Sequence, residues 1–161
     1  MIRTATIDDA TKIAEIYNYY VTNTFITFEK EPVSVDEIYT RISDIVSSSL
    51  PWLVIENNGE VIGYAYATKW RARPAYKHSV ETTVYLSKSH SGKGFGKLIY
   101  SKLISELTSS GFHTAIGGIA LPNEASVRLH ESIGFKKVAH FQEVGNKFDK
   151  WIDVGYWQIM L

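Results

Sequence analysis

Cysteine is absent from this 161-residue chain. That excludes disulfides, thiolate nucleophiles and thiolate-held metals, and it suits a reducing compartment. Charge of one sign is not in excess either, since seventeen Lys and Arg balance seventeen Asp and Glu. A nucleic-acid binder needs a basic excess or stripe to neutralise phosphates, so nucleic acid is not expected as a partner. No apolar run approaches the length of a membrane-spanning helix. The first residues turn polar at once, with Arg3, Thr4, Thr6, Asp8 and Asp9 in place of the apolar core of a signal peptide. A cytoplasmic location away from membranes is therefore expected. Repeats, low-complexity tracts and linkers are lacking. No group of His, Asp and Glu has metal-ligand spacing, so no metal is expected. What remains is 45% hydrophobic and 21% charged, the balance of one globular domain over residues 1–161.

The hydrophobic period gives the order of elements. Ile2 to Thr6 reads as a strand, followed by a helix that Asp8 or Asp9 can cap. Ala10, Ile13, Ala14, Tyr17, Tyr20 and Val21 share one face of that helix. Ser34 and Glu37 have the spacing of a capping box. Behind them Val35, Ile38, Ile42, Ile45 and Val46 form a second amphipathic stripe. Strands are expected over Trp52–Glu56, Val61–Trp70 and Val80–Leu86, the first two joined by a hairpin turn at Asn57-Asn58-Gly59. A helix over about Gly96–Ser109 and a strand over His113–Ile119 come next. Asn123 caps a further helix that stops at Gly134, and strands Lys136–Val144 and Trp151–Met160 close the chain. The order β-α-α-β-β-β-α-β-α-β-β implies an α/β (α+β) fold, a mixed central sheet with helices on its faces.

One loop carries a chemical signal. Ser91-Gly92-Lys93-Gly94-Phe95-Gly96 lies between a strand and a helix, with Lys97 just beyond. Glycines let the backbone turn and bring its N–H groups close to a ligand, and the helix start adds partial positive charge. That combination suits phosphates. It is not a Walker loop, because Leu98 follows Gly96-Lys97 where Ser or Thr is required. It is not a Rossmann fingerprint, because the last glycine spacing is wrong. A plain surface turn fits three glycines equally well.

The segment Val80 to Gly96, VETTVYLSKSHSGKGFG, resembles the acetyl-CoA-binding motif of the GNAT superfamily, [Q/R]-x-x-G-x-[G/A] after a hydrophobic strand. Gly94 and Gly96 match it, while Ser91 stands where Gln or Arg is usual. Blocks over nearly the whole chain are similar to the phosphinothricin and methionine sulfone/sulfoximine N-acetyltransferase family. They include Tyr17-Asn18-Tyr19, Thr27-Phe28, Arg71-Ala-Arg-Pro-Ala-Tyr76, Glu81-Thr-Thr-Val-Tyr85, Leu121-Pro-Asn123, Ser126-Val-Arg-Leu-His-Glu131 and Trp151 to Gln158. The resemblance implies a GNAT fold, acetyl-CoA as cosubstrate, a small-molecule amine acceptor and, by analogy, a homodimer.

Acetyl transfer needs a neutral amine, donors for the charge on the carbonyl oxygen, and a proton or hydrogen bond for the departing thiolate. Taken alone, a strand glutamate such as Glu81 is more often a solvated surface group. The match to the family block assigns it the general base. The same resemblance puts the backbone of Val84 and Tyr85 against the acetyl and pantetheine groups, on a strand that splays from its neighbour. It puts Asn123 and Ser126 beside the CoA arm and Ser91 to Lys97 on its phosphates. His130 falls where many family members place a tyrosine near the sulfur, and a half-buried helix histidine is its equal alternative. Arg71, Arg73 and Tyr76 are implied to hold an anionic acceptor, for which the arginine fork suits a carboxylate or phosphinate. Phe28 is implied to wall the pocket, with core packing as the competing reading. Tyr100 matches a family tyrosine near the CoA channel. Phe148 replaces a histidine of some phosphinothricin-resistance members. Two other functions remain beside this one: acetylation of another amine or a peptide N-terminus, and a CoA-binding sensor without chemistry.

Overall fold

The computed structural model describes all 161 residues. Seven strands and four helices follow the expected order. They are β1 (Ile2–Thr4), α1 (Ala10–Asn23), α2 (Val35–Ser47), β2 (Trp52–Asn57), β3 (Glu60–Lys69), β4 (Ser79–Leu86), α3 (Phe95–Ser109), β5 (Thr114–Leu121), α4 (Glu124–Ile133), β6 (Lys136–Lys147) and β7 (Lys150–Met160). One mixed sheet runs β1-β2-β3-β4-β5-β7-β6. Every neighbouring pair is antiparallel except β4 and β5. No helix is long and apolar enough to cross a membrane.

Two cores sandwich the sheet. On β2, Leu53 and Ile55 face α3, packing near Ile99, Tyr100, Leu103 and Leu107. The alternate residues Trp52 and Val54 face α1 and α2, with Ile13, Val21, Ile38 and Ile42. Period-2 alternation on a strand covered on both sides gives a continuous apolar run, as Trp52-Leu-Val-Ile55 does. Each fully buried side chain of this size is worth about 1.5–3 kcal/mol of transfer free energy.

Several local expectations shift. Neither Asp8 nor Asp9 caps α1 by its side chain. A 3-10 turn over Ile7–Asp9 precedes the helix, and the Asp9 carboxylate turns back to accept from the Thr6 amide at 2.8 Å. It also accepts two 2.8 Å bonds from the Arg3 guanidinium. The half-buried Arg3 guanidinium takes the carboxylate in place of the helix start. Ser34 does cap α2, accepting from the Glu37 amide at 3.1 Å. On α2 only Ile38 and Ile42 are buried, Ile45 is half-buried, and Val35 and Val46 are exposed. Ile16, off the expected stripe, is buried on α1.

Both tight hairpins are turns of positive φ. Asn58 and Gly59 adopt φ of 51° and 80°, as the dipeptide leads one to expect. Phe148 and Asp149 do the same with φ of 52° and 56°. Without glycine or asparagine that turn is silent in the sequence, so β6 and β7 run closer together than the gap between Val144 and Trp151 suggested.

Candidate active site

The parallel pair at the centre of the sheet is short. It joins Ser79 to Thr114, Val80 to Ala115 and Glu81 to Ile116, and then stops. Both strands continue, β4 to Leu86 and β5 to Leu121, without pairing further. The sheet therefore opens in a V whose apex is Glu81. On the side facing β5, the backbone of residues 82–86 has no ladder partner. Unpaired backbone amides need a partner, so a wedge of this kind asks for a ligand.

The V forms a cleft of about 760 Å³. Of the expected site residues, Glu81, Val84, Tyr85, Asn123, Ser126, His130, Phe28 and Arg71 line it, and the loop residues Ser91 to Lys97 do not. Arg73 and Tyr76 do not: both are exposed on the 3-10 turn between β3 and β4 and stand outside the lining. Phe148, at the tip of the β6–β7 hairpin, is exposed and also outside it.

Alternation on β4 sends two sets of side chains apart. Val80 and Thr82 are buried toward α3, where Thr82 meets Tyr100. Glu81 and Tyr85 point to the other face, where the Tyr85 ring packs on Tyr17, Tyr20 and Tyr64 at 5.3, 5.1 and 5.6 Å. Glu81 is half-buried and makes no side-chain hydrogen bond or ion pair. Burial raises its pKa, and the Arg71 charge only partly offsets that. A carboxylate raised above its usual range and aimed into a cleft is suited to take a proton. Arg71 lies over the Trp70 ring at 4.2 Å and donates to the Trp70 carbonyl at 3.1 Å. It forms no ion pair with the protein's own acids, which leaves its guanidinium edge for an anion.

The opposite wall holds a polar chain. Tyr100 Oη sits 2.7 Å from Thr82 Oγ1 and 3.0 Å from His130 Nε2. His130 Nδ1 lies 2.8 Å from the Ser126 carbonyl. A carbonyl can only accept, so Nδ1 carries the proton and Nε2 accepts from Tyr100. Burial lowers the His130 pKa, with the bond to Ser126 opposing in part. The ring is thus neutral, buried and committed at both nitrogens. Gly117 on β5 is required beside it, because a Cβ there would lie 2.5 Å from Nε2.

At the C-terminal end of β4 the glycine-rich loop leads into α3. Gly92 and Gly94 adopt φ of 77° and 87°. Gly94 is the N-cap and supplies no side-chain cap. The first intrahelical bond runs from the Leu98 amide to the Gly94 carbonyl, so the amides of Phe95, Gly96 and Lys97 have no helical partner. Gly96 is buried, with its Cβ position 3.4 Å from Leu86 and Leu129, while Lys93 and Lys97 are exposed. Free amides, a helix N-terminus and two lysines fit an anionic phosphate group. Asn123 caps α4, accepting from the Ser126 amide at 3.2 Å.

Sequence reasoning missed the contribution of β7. Val154, Tyr156 and Gln158 all face the cleft. Tyr156 lies opposite Gly118 and edge-on to Trp70 and Phe141, with centroids 5.8 Å away in both cases. Burial raises its pKa, and the Glu81 charge adds to that. The alternation Val154, Tyr156, Gln158 was visible. What was not visible is that β7 inserts between β5 and β6, so this face borders the V.

Residues 2–155 match the family model described as an acetyltransferase (GNAT) domain. The chain is 38% identical over 157 residues to a phosphinothricin N-acetyltransferase of Streptomyces viridochromogenes, covering 98% of this chain and 85% of that protein. It is also 38% identical over 160 residues to an L-methionine sulfoximine/L-methionine sulfone acetyltransferase of Salmonella typhimurium, covering 99% and 94%. Among solved structures it is similar to yncA, a putative acetyltransferase of Salmonella typhimurium solved with acetyl-CoA. There the TM-score is 0.97 at 37% identity, over 100% of this chain and 93% of that one.

Proposed function

The chain belongs to the GNAT acetyltransferase family and is an N-acetyltransferase, and from that premise we propose that it moves an acetyl group from acetyl-CoA to the α-amine of a small amino-acid analogue. The analogue is of the phosphinothricin, methionine sulfone or methionine sulfoximine type, the class named for its relatives. One observation carries the reading: the only parallel strand pair opens in a V with an unpaired, half-buried Glu81 at its apex.

In this reading the loop from Ser91 to Lys97 binds the CoA phosphates through the free amides of α3 and the charges of Lys93 and Lys97. Val84 and Tyr85 give their backbone to the pantetheine and acetyl groups, and Asn123 and Ser126 border the arm. Arg71 holds an anionic group of the acceptor, and Phe28 and Tyr156 close around its carbon skeleton. Glu81 takes the proton from the ammonium, directly or through one water, so that a neutral amine attacks. Transfer is direct, consistent with the lack of any cysteine to carry the acetyl group: the amine adds to the carbonyl carbon, the C–S bond breaks, and the departing CoA thiolate takes the second proton from the nitrogen. The geometry of His130 favours a positioning role, since its neutral ring holds Tyr100 against Thr82 and has no free proton to give.

Thiol release from acetyl-CoA across a panel of amines tests the acceptor class. The panel sets methionine sulfone, methionine sulfoximine and phosphinothricin beside peptides and polyamines. Saturable turnover on the amino-acid analogues alone is expected. Preference for peptides would move the assignment to a peptide N-terminus. Acetyl-CoA binding without turnover on any amine would favour a sensor.

A further inference from the structure

Between α1 and α2 the chain runs without regular structure, and residues 25–33 take part in no backbone–backbone hydrogen bond. Yet Ile26, Thr27 and Phe28 form one wall of the cleft. That wall is therefore held by side chains. From the helical side, Tyr17 Oη lies 2.7 Å from Thr27 Oγ1 and also donates to the Glu29 carboxylate. Arg41 grips Glu29 at 2.7 and 3.2 Å. Asn18 fixes Val33 by both its carbonyl and its amide, at 2.8 and 2.7 Å.

From the sheet side the Tyr85 hydroxyl of β4 reaches the Thr27 side chain, and one bond crosses to the wall's backbone. Lys147 Nζ, at the end of β6, donates to the Thr27 carbonyl at 2.8 Å. Lys147 is 2% exposed and has no carboxylate within ion-pair distance. Burial lowers its pKa, and Glu29 opposes that from further away. Its other close partner is the Phe148 ring, with Nζ 5.2 Å from the centroid. An ammonium buried against one carbonyl and one ring, without a carboxylate, is costly, and a packing role alone would be met at less cost by an apolar side chain. Two residues earlier on the same strand face, Gly145 lies against the Phe28 ring. A Cβ at Gly145 would come within 2.6 Å of Phe28 Cε2. One residue thus bonds to the wall and the other leaves room for its aromatic ring.

We propose that Lys147 is a positioning residue for the acceptor: its ammonium ties the Thr27–Phe28 wall to β6 and so sets the width of the acceptor side of the cleft, with Gly145 providing the space for the ring. Lys147 does not line the cleft and acts through Thr27 and Phe28. The acceptor arm of its test rests on the acetyl-transfer reading above.

Lys147→Met keeps an unbranched side chain only one atom shorter and removes the donor and the charge. The acceptor KM is expected to rise about tenfold or more, as for loss of a hydrogen bond from a charged group. The acetyl-CoA KM is expected to stay unchanged. Within 25–29 the amides of Ile26 and Glu29, held by the Thr24 and Thr27 hydroxyls, are expected to exchange faster with deuterium while those of the sheet do not. In a Phe28→Ala background the same change should add little, because its effect passes through that ring. Gly145→Ala should give the same split, and Lys147→Gln, which retains an N–H donor, should recover part of the loss. Unchanged exchange at 25–29, an equal loss for both substrates, or full additivity with Phe28→Ala would each overturn the proposal. Should Lys147→Met not fold, Gly145→Ala and Lys147→Gln carry the same comparison. If the wild-type protein acetylates no amino-acid analogue, the acceptor reading falls. Exchange at 25–29, with acetyl-CoA binding followed by calorimetry, then still decides the role of Lys147.

Discussion

At the scale of single residues, the chain withdraws three charged groups from bulk water, Asp9 and Lys147 fully and Glu81 in part, for three different reasons. Asp9 is buried to hold the N-terminus together: Arg3 spans it and Glu56, whose carboxylate is 2.6 Å from the guanidinium. The arginine hydrogen bonds hold the Asp9 pKa below its usual 3.8, burial opposing. A group depressed in the folded state stabilises above its unfolded pKa, and that stability is lost as pH falls through the folded value. Asp9→Asn is therefore expected to cost about 2 kcal/mol at neutral pH, the range for a hydrogen bond to a charged partner. The gap between wild type and variant should close in acid, as urea melts across pH would show. Glu81 is the opposite case. Its raised pKa means that its charge is a burden on the folded state. Lys147 is legible only in three dimensions, since the strand around it reads as exposed from Lys136 to Val144 apart from Ala139. Nothing in its sequence neighbourhood marks it as buried.

At the scale of elements, the loop and α3 act as one unit. Gly94 must adopt φ of 87°, where L side chains are strained, and a Cβ there would meet no neighbour within 4 Å. Any effect of Gly94→Ala would then come from backbone conformation rather than a clash. Weaker acetyl-CoA binding with an unaltered acceptor KM is expected, and isothermal titration of the variant with CoA would measure it. Equal affinity would remove the loop from the phosphate site. This element was readable from sequence, because glycine spacing and a helix start are local signals. So were the Asn123 cap and the Asn58-Gly59 turn. The Phe148-Asp149 turn was not, since Phe148 is not a usual carrier of positive φ and no glycine follows Asp149.

At the scale of the whole molecule, the site is a consequence of strand order. The linear order of elements was correct from the hydrophobic period, but periodicity says nothing about which strands are neighbours. The V exists because β4 and β5 are the one parallel pair and part after Glu81. The resemblance implied the splay; the residues themselves did not display it. Insertion of β7 beside β5 brings Tyr156 to within reach of the Glu81 field, and the Thr27–Phe28 wall closes the same space from the helical side. The resemblance set Arg73 and Tyr76 at the acceptor site with Arg71, and the 3-10 turn after Arg73 leaves both exposed and outside the cleft lining.

The central claim is that Glu81 at the apex of the V takes the proton from the acceptor amine. Its most direct test is the pH dependence of kcat/KM for wild type and Glu81→Gln, measured with saturating acetyl-CoA and with thermal melts of both proteins alongside. The wild-type rate should rise with pH through a pKa above the usual glutamate range. The variant should lose about a hundredfold or more, as for removal of a general base, while folding and binding acetyl-CoA normally. It should also melt no lower than wild type at neutral pH, because the raised pKa places the ionised carboxylate at a disadvantage in the folded state. A variant with wild-type rate and an unaltered profile would contradict the claim and leave Glu81 as an ordinary strand residue.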